Sequence, residues 1–187
     1  MKNLLLLLVI SIGTLTMSVA QTEVGSVILD NTLNFGNSEL ILNGGGIRKK
    51  AMVLKLYSGG LYLGEKSKDA ASIINADETM AIRLVITSSF VSSEAMQGAV
   101  NEGFEASTGG NTSPIAAEIT KFISFFNDEI VEEDMFDITY QDTGVVVYKN
   151  NKELGTIPGL NFKKAVFGIW LGNEPADDKL KKGMLGK

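Results

Sequence analysis

The chain has 187 residues, 44% apolar and 21% charged, with a formal net charge of −5, the profile of one globular domain of ordinary composition. It contains neither cysteine nor histidine. Thiol nucleophiles, disulfides, Ser-His-Asp triads and the usual nitrogen or sulfur ligands of zinc and haem are thereby excluded, and the acidic balance argues against a nucleic-acid partner.

Residues 1–20 read as a secretory signal peptide. Lys2 supplies the positive start, Leu4 to Ile12 an apolar run, and Ser18-Val19-Ala20 the small residues of a cleavage site before Gln21. The expectation is an exported protein, periplasmic or secreted and of bacterial type, whose single domain spans residues 21–187. No later segment approaches transmembrane length.

Strand signals come first in that domain. Ser26 to Leu29 and Leu40 to Leu42 are short apolar runs, Gly44-Gly45-Gly46 is expected to break the chain, and Met52 to Leu63 is a long apolar segment. A short helix over Lys68 to Asn75 precedes a strand at Met80 to Thr87. Ser92 can cap a helix reaching Ser107, with Met96, Val100 and Phe104 on one face. Ser113-Pro114 starts another, whose apolar stripe runs through Ile115, Ile119, Phe122, Ile123, Phe126 and Ile130. Strands at Phe136 to Tyr140, Val145 to Tyr148 and Leu154 to Ile157 form a meander. A helix over Leu160 to Leu171 stops at Gly172, and Pro175 opens a last short one. Strands, helices, strands and helix in that order predict an α+β fold: an antiparallel sheet with helices on one face and a ligand-sized gap between them.

Two blocks carry a family resemblance. One is Leu42-Asn43-Gly44-Gly45-Gly46-Ile47-Arg48-Lys49-Lys50, continuing into Leu54-Lys55-Leu56-Tyr57-Ser58-Gly59-Gly60-Leu61-Tyr62-Leu63. The other is Ile157-Pro158-Gly159, Phe162, Phe167-Gly168-Ile169-Trp170-Leu171-Gly172-Asn173-Glu174-Pro175, then Leu180-Lys181 and Leu185-Gly186. Together they resemble the chalcone isomerase-like family over nearly all of the exported chain. The resemblance implies an open-faced β-sandwich, a large antiparallel sheet with helices layered against it.

The resemblance also implies a site. Members that cyclise chalcones use an arginine after the glycine run, a strand threonine, a helical tyrosine and asparagine, and a hydroxyl residue on the C-terminal helix. Arg48 matches the arginine, but Tyr57 stands at the threonine position, the helix from Ser92 to Ser107 has no tyrosine, and the C-terminal helix offers Phe167, Ile169 and Trp170. The fatty-acid-binding branch fits better, with Arg48 and Tyr57 on a ligand carboxylate and the acyl chain between sheet and helices. A guanidinium grips a carboxylate through two parallel hydrogen bonds, and a phenol adds a neutral donor.

Three readings follow. The first is a non-catalytic holder of a fatty acid or similar amphipathic acid, with an apolar tunnel closed by Arg48 and Tyr57. The second is an isomerase or intramolecular lyase, with Arg48 stabilising negative charge and Tyr57 as general acid. The third is a structural protein with a packed interior. No cofactor and no metal is expected. Glu132-Glu133-Asp134, with Asp137 nearby, lacks a calcium-loop pattern and reads as a solvated helix end. Asp177 and Asp178, adjacent on a helix, diverge and make a poor catalytic pair. Arg83 and Asn101 can each face the cleft or solvent.

Overall fold

The computed structural model describes residues 21–187, so the signal-peptide reading of residues 1–20 lies outside it. Strands β1 (Gln21–Val24) and β2 (Val27–Asp30) form a separate hairpin. The main sheet contains β3 (Thr32–Phe35), β4 (Ser38–Lys50), β5 (Leu54–Leu63), β6 (Met80–Ile86), β7 (Met135–Gln141), β8 (Gly144–Lys149) and β9 (Lys152–Ile157). All seven follow one another in chain order, each antiparallel to the next, so the expected meander extends across the whole sheet.

Both faces of this sheet are covered, which is why β6 alternates only loosely. Met80, Ile82, Leu84 and Ile86 face the helices, while Ala81 packs with Val24, Leu29, Leu40, Leu42 and Tyr62 in a second core beneath the β1–β2 hairpin. The helical layer comprises α1 (Ala70–Asn75), α2 (Ser93–Ser107), α3 (Ala116–Ser124), α4 (Leu160–Leu171) and α5 (Asp178–Met184). Among the described residues no helix is long and apolar enough to cross a membrane.

Helix ends follow local chemistry. The Ser92 hydroxyl accepts from the Ala95 N–H and starts α2 as expected, burying Met96, Val100 and Phe104. Asp69 caps α1 and Asp177 caps α5, each carboxylate accepting two backbone N–H groups. The stripe after Pro114 is not one helix. A 3-10 turn over Ser113–Ile115 leads into α3, which ends at Ser124, and the buried Phe126 and Ile130 lie in the segment beyond it.

The Gly44-Gly45-Gly46 run does not break the chain. β4 passes straight through it, with a register shift between Leu42 and Gly44, and none of the three has a positive φ. Their purpose is close approach. A Cβ on Gly44 would run into the Gly183 carbonyl oxygen, and one on Gly46 would press on Leu180 Cα at 3.1 Å, because α5 lies directly on the strand.

Between sheet and helices, Phe104, Phe122, Phe126, Phe136 and Phe162 fill the interior, with neighbouring ring centroids 5.2 to 5.8 Å apart. Among the described residues this cluster fills the middle of the expected gap, and a ligand-sized cleft lies between the β4–β5 hairpin and α2.

Lys163 on α4 is fully buried, and its ammonium donates to the carbonyls of Ile73 (2.9 Å), Ile74 (3.0 Å) and Ala76 (2.7 Å). Those are the orphan acceptors at the end of α1. Burial lowers its pKa to about 8, helped by Lys164, so the group is still protonated at neutral pH. Replacing it, as Lys163→Met, leaves three carbonyls without their donor. A loss of about 2–4 kcal/mol in urea unfolding is expected, and a loss below about 0.5 kcal/mol would contradict this capping role.

Candidate functional site

β4 and β5 pair with Arg48 directly opposite Tyr57. Opposed residues of an antiparallel pair project from the same face, here the helix side, where Tyr57 joins the main core. The Arg48 guanidinium carbon stands 5.9 Å from the centre of the Tyr57 ring, a cation–π contact. The two candidate residues are thus brought together as expected.

Tyr57 is buried, and its hydroxyl oxygen accepts from the indole Nε1–H of Trp170 on α4 at 3.0 Å. Burial raises the phenol's pKa above its ordinary value, although the Arg48 charge and the Trp170 hydrogen bond oppose it. Tyr57 is therefore a neutral phenol whose oxygen is engaged and whose proton remains to be donated. Arg48 is half-buried and forms no ion pair among the described residues.

Arg48 and Tyr57 line a cleft of about 700 Å³ between the β4–β5 hairpin and α2. The volume suits a small organic ligand. Leu54 and Leu56 form one wall, Val91 and Met96 the other, with Glu94 and Glu102 exposed on α2 at the rim. Lys49, Lys50 and Ala51 carry its lining up to the hairpin tip. The expected tunnel is thus a cleft at one end of the layer, since the phenylalanine cluster occupies the middle.

Trp170 is the site residue that sequence reasoning missed. It reads as core, and it is buried, but its position also lets one nitrogen fix the Tyr57 hydroxyl. Helical spacing shows which face of α4 is buried and not which strand residue that face meets.

Other candidates fall elsewhere. Arg83 lies on the opposite face of the sheet, where Nε and Nη2 donate to the two carboxylate oxygens of Asp137 at 2.7 and 2.8 Å. Asn101 is exposed on α2 and lies outside the cleft. In the acidic run Glu132 and Glu133 are exposed as expected, but the run does not end a helix, since α3 stops at Ser124, and its third member is not solvated. Asp134 is buried, pairs with Lys149 at 2.9 Å and accepts from Val131 N and Asn150 Nδ2; those bonds hold its carboxyl below the usual range against burial, which acts to raise it. Asp177 uses one oxygen to cap α5 and the other to accept the Lys49 N–H, so it makes no pair with Asp178. No acidic cluster among the described residues is arranged to hold a metal ion.

A wider groove of about 1030 Å³ lies along α1 and α4, reaching Asn161, Lys164 and Lys181. It contains none of the candidate residues, and its Lys181 already donates to the Gly172 carbonyl at 2.7 Å.

A family model described as chalcone isomerase-like matches residues 21–186. Among solved structures, the fatty-acid binding protein of Arabidopsis thaliana is similar, with a TM-score of 0.66 and 18% sequence identity over 85% of this chain and 91% of that one. At that identity the likeness speaks for the fold. No curated protein sequence matches significantly.

Proposed function

The chain belongs to the chalcone isomerase-like family, and from that membership we propose a non-catalytic binding protein that holds a fatty acid or a similar amphipathic carboxylate. The acid's head group sits on Arg48 and Tyr57, and its chain lies against Leu54, Leu56, Val91 and Met96. One observation carries the reading: a half-buried guanidinium that forms no ion pair among the described residues stands beside a phenol whose proton is unused, at a cleft with apolar walls.

Three further points support it. A carboxylate meeting Arg48 makes charge-assisted hydrogen bonds worth about 1.5–3 kcal/mol, and each buried methylene adds roughly 0.8 kcal/mol. The similar Arabidopsis structure is that of a fatty-acid binding protein. The helical tyrosine and C-terminal hydroxyl of the chalcone-cyclising members are missing, which weighs against the isomerase reading. We further propose that residues 1–20 act as a cleaved leader, so that the protein works in the periplasm or the surrounding medium.

Trp170 is the sole tryptophan and touches the head-group phenol, so its fluorescence reports on the site. Titrating delipidated protein with dodecanoate should give a saturable change. Arg48→Met should weaken binding by about 10- to 150-fold, the equivalent of one lost charge-assisted contact. Equal affinity in Arg48→Met, or no binding by the unaltered protein, would overturn the proposal.

A further inference from the structure

Five large apolar residues are exposed among the described residues, and three of them lie at or beside the Arg48 cleft: Phe90 lines it, and Met52 and Val53 sit in the chain between its lining residues Ala51 and Leu54. Met52 (82% exposed) and Val53 (81%) form the tip of the β4–β5 hairpin, whose Ala51 and Leu54 line the cleft. Phe90 (70%) stands on the opposite lip, in the loop before α2. Single exposed apolar side chains are ordinary on a protein surface, whereas a group gathered at one opening marks a contact.

The tip is locally unfavourable twice over. Ala51 and Met52 both adopt a left-handed backbone, with φ of 49° and 64°, in a turn that glycine or asparagine takes without strain. Immediately below, Lys49 and Lys55 oppose each other across the strands, a like-charged pair that repels. Neither feature helps the hairpin to fold.

Charge is segregated here as well. From Leu40 to Gly64 the chain has four cations, Arg48, Lys49, Lys50 and Lys55, and no acid, in a protein of net charge −5. None of the three lysines is in an ion pair among the described residues. Of the nearby acids, Asp177 is engaged in capping α5 and in binding the Lys49 N–H, while Glu94 and Glu102 across the cleft and Asp178 beside Met52 form no ion pair with these cations among the described residues.

We propose that the β4–β5 hairpin tip and Phe90 dock the protein on an anionic phospholipid bilayer, with Met52, Val53 and Phe90 entering the head-group region and Lys49, Lys50 and Lys55 on the lipid phosphates. Protruding apolar side chains next to Lys49, Lys50 and Lys55 match the layering of such a surface, apolar below and anionic above. Docked in this way, the cleft opens onto the membrane. Transfer of an acyl acid between bilayer and cleft rests on the proposed function; the docking itself rests on the tip.

Co-sedimentation with phosphatidylglycerol-containing vesicles tests it, with pure phosphatidylcholine vesicles for comparison. The unaltered protein should bind the anionic vesicles, less so as salt is raised, and bind the neutral ones weakly. Met52→Asn with Val53→Ser should reduce binding by about tenfold or more. Asparagine suits the left-handed position, so the double variant should melt no lower than the parent, and it should still bind dodecanoate, because neither residue lines the cleft. Failure to bind anionic vesicles, or undiminished binding by the double variant, overturns the docking. Self-association lost in that variant without any vesicle binding overturns it too, and assigns the tip to a second copy of the chain.

Discussion

Asp137→Ala should destabilise the protein by about 3–5 kcal/mol, a large part of a typical domain's total stability. Asp137 is 2% exposed and stands directly across from Arg83 in the β6–β7 register. Its two oxygens take the Nε and Nη2 protons of a guanidinium that is itself 9% exposed. Removing the carboxylate leaves a buried cation whose remaining counter-charge, Asp30, is more exposed and 3.8 Å away. Desolvation then goes uncompensated. Replacing both partners together, as Arg83→Met with Asp137→Leu, should restore most of the loss, because no unpaired charge is left. Urea unfolding of the two variants checks this. A change under about 1 kcal/mol in Asp137→Ala would contradict a compensating role for the pair.

The second large effect concerns the contact of α5 with β4. Gly44→Val would drive a side chain into the Gly183 carbonyl, with Gly186 N only 3.0 Å from the new Cβ. Both obstacles are backbone, so the strain cannot be relieved by a rotamer change. The expected result is α5 displaced from the sheet, with Leu180 and Met184, both fully buried, drawn out of the core. Exposing two such side chains costs about 3–6 kcal/mol. Hydrogen exchange should show fast exchange throughout α5, and dodecanoate binding should weaken because Asp177 no longer holds the Lys49 N–H next to Arg48. Unchanged protection of α5 would contradict this account of the glycine run.

Elements governed by neighbouring residues were readable from the sequence. α2 starts at the expected Ser92 cap, and α4 spans the expected Leu160 to Leu171 up to Gly172. The glycine run was misread because its reason, the approach of α5, comes from a helix more than a hundred residues later. Asp134, Asp137 and Arg83 were misplaced or left open on the same grounds: their partners lie on other strands, and a charge reads as solvated until the pairing is known. Phe126 and Ile130 kept helical spacing although the helix had ended, since a buried loop also requires apolar residues.

At the site, Arg48 and Tyr57 were identifiable through the family resemblance, and the short hairpin joining their strands brings them face to face. Trp170 was not, because its hydrogen bond to Tyr57 depends on how α4 crosses the sheet. The location of the cleft also depended on tertiary structure, on five phenylalanines closing the middle of the layer.

The central claim, an acid held on Arg48 and Tyr57, is tested most directly by native mass spectrometry of the protein purified gently, without delipidation, from the cells that produce it. The account predicts a co-purifying carboxylic acid that is present in the unaltered protein and absent from Arg48→Met of equal thermal stability. A clean unliganded mass that stays clean when dodecanoate is added, or an adduct retained in full by Arg48→Met, would contradict it.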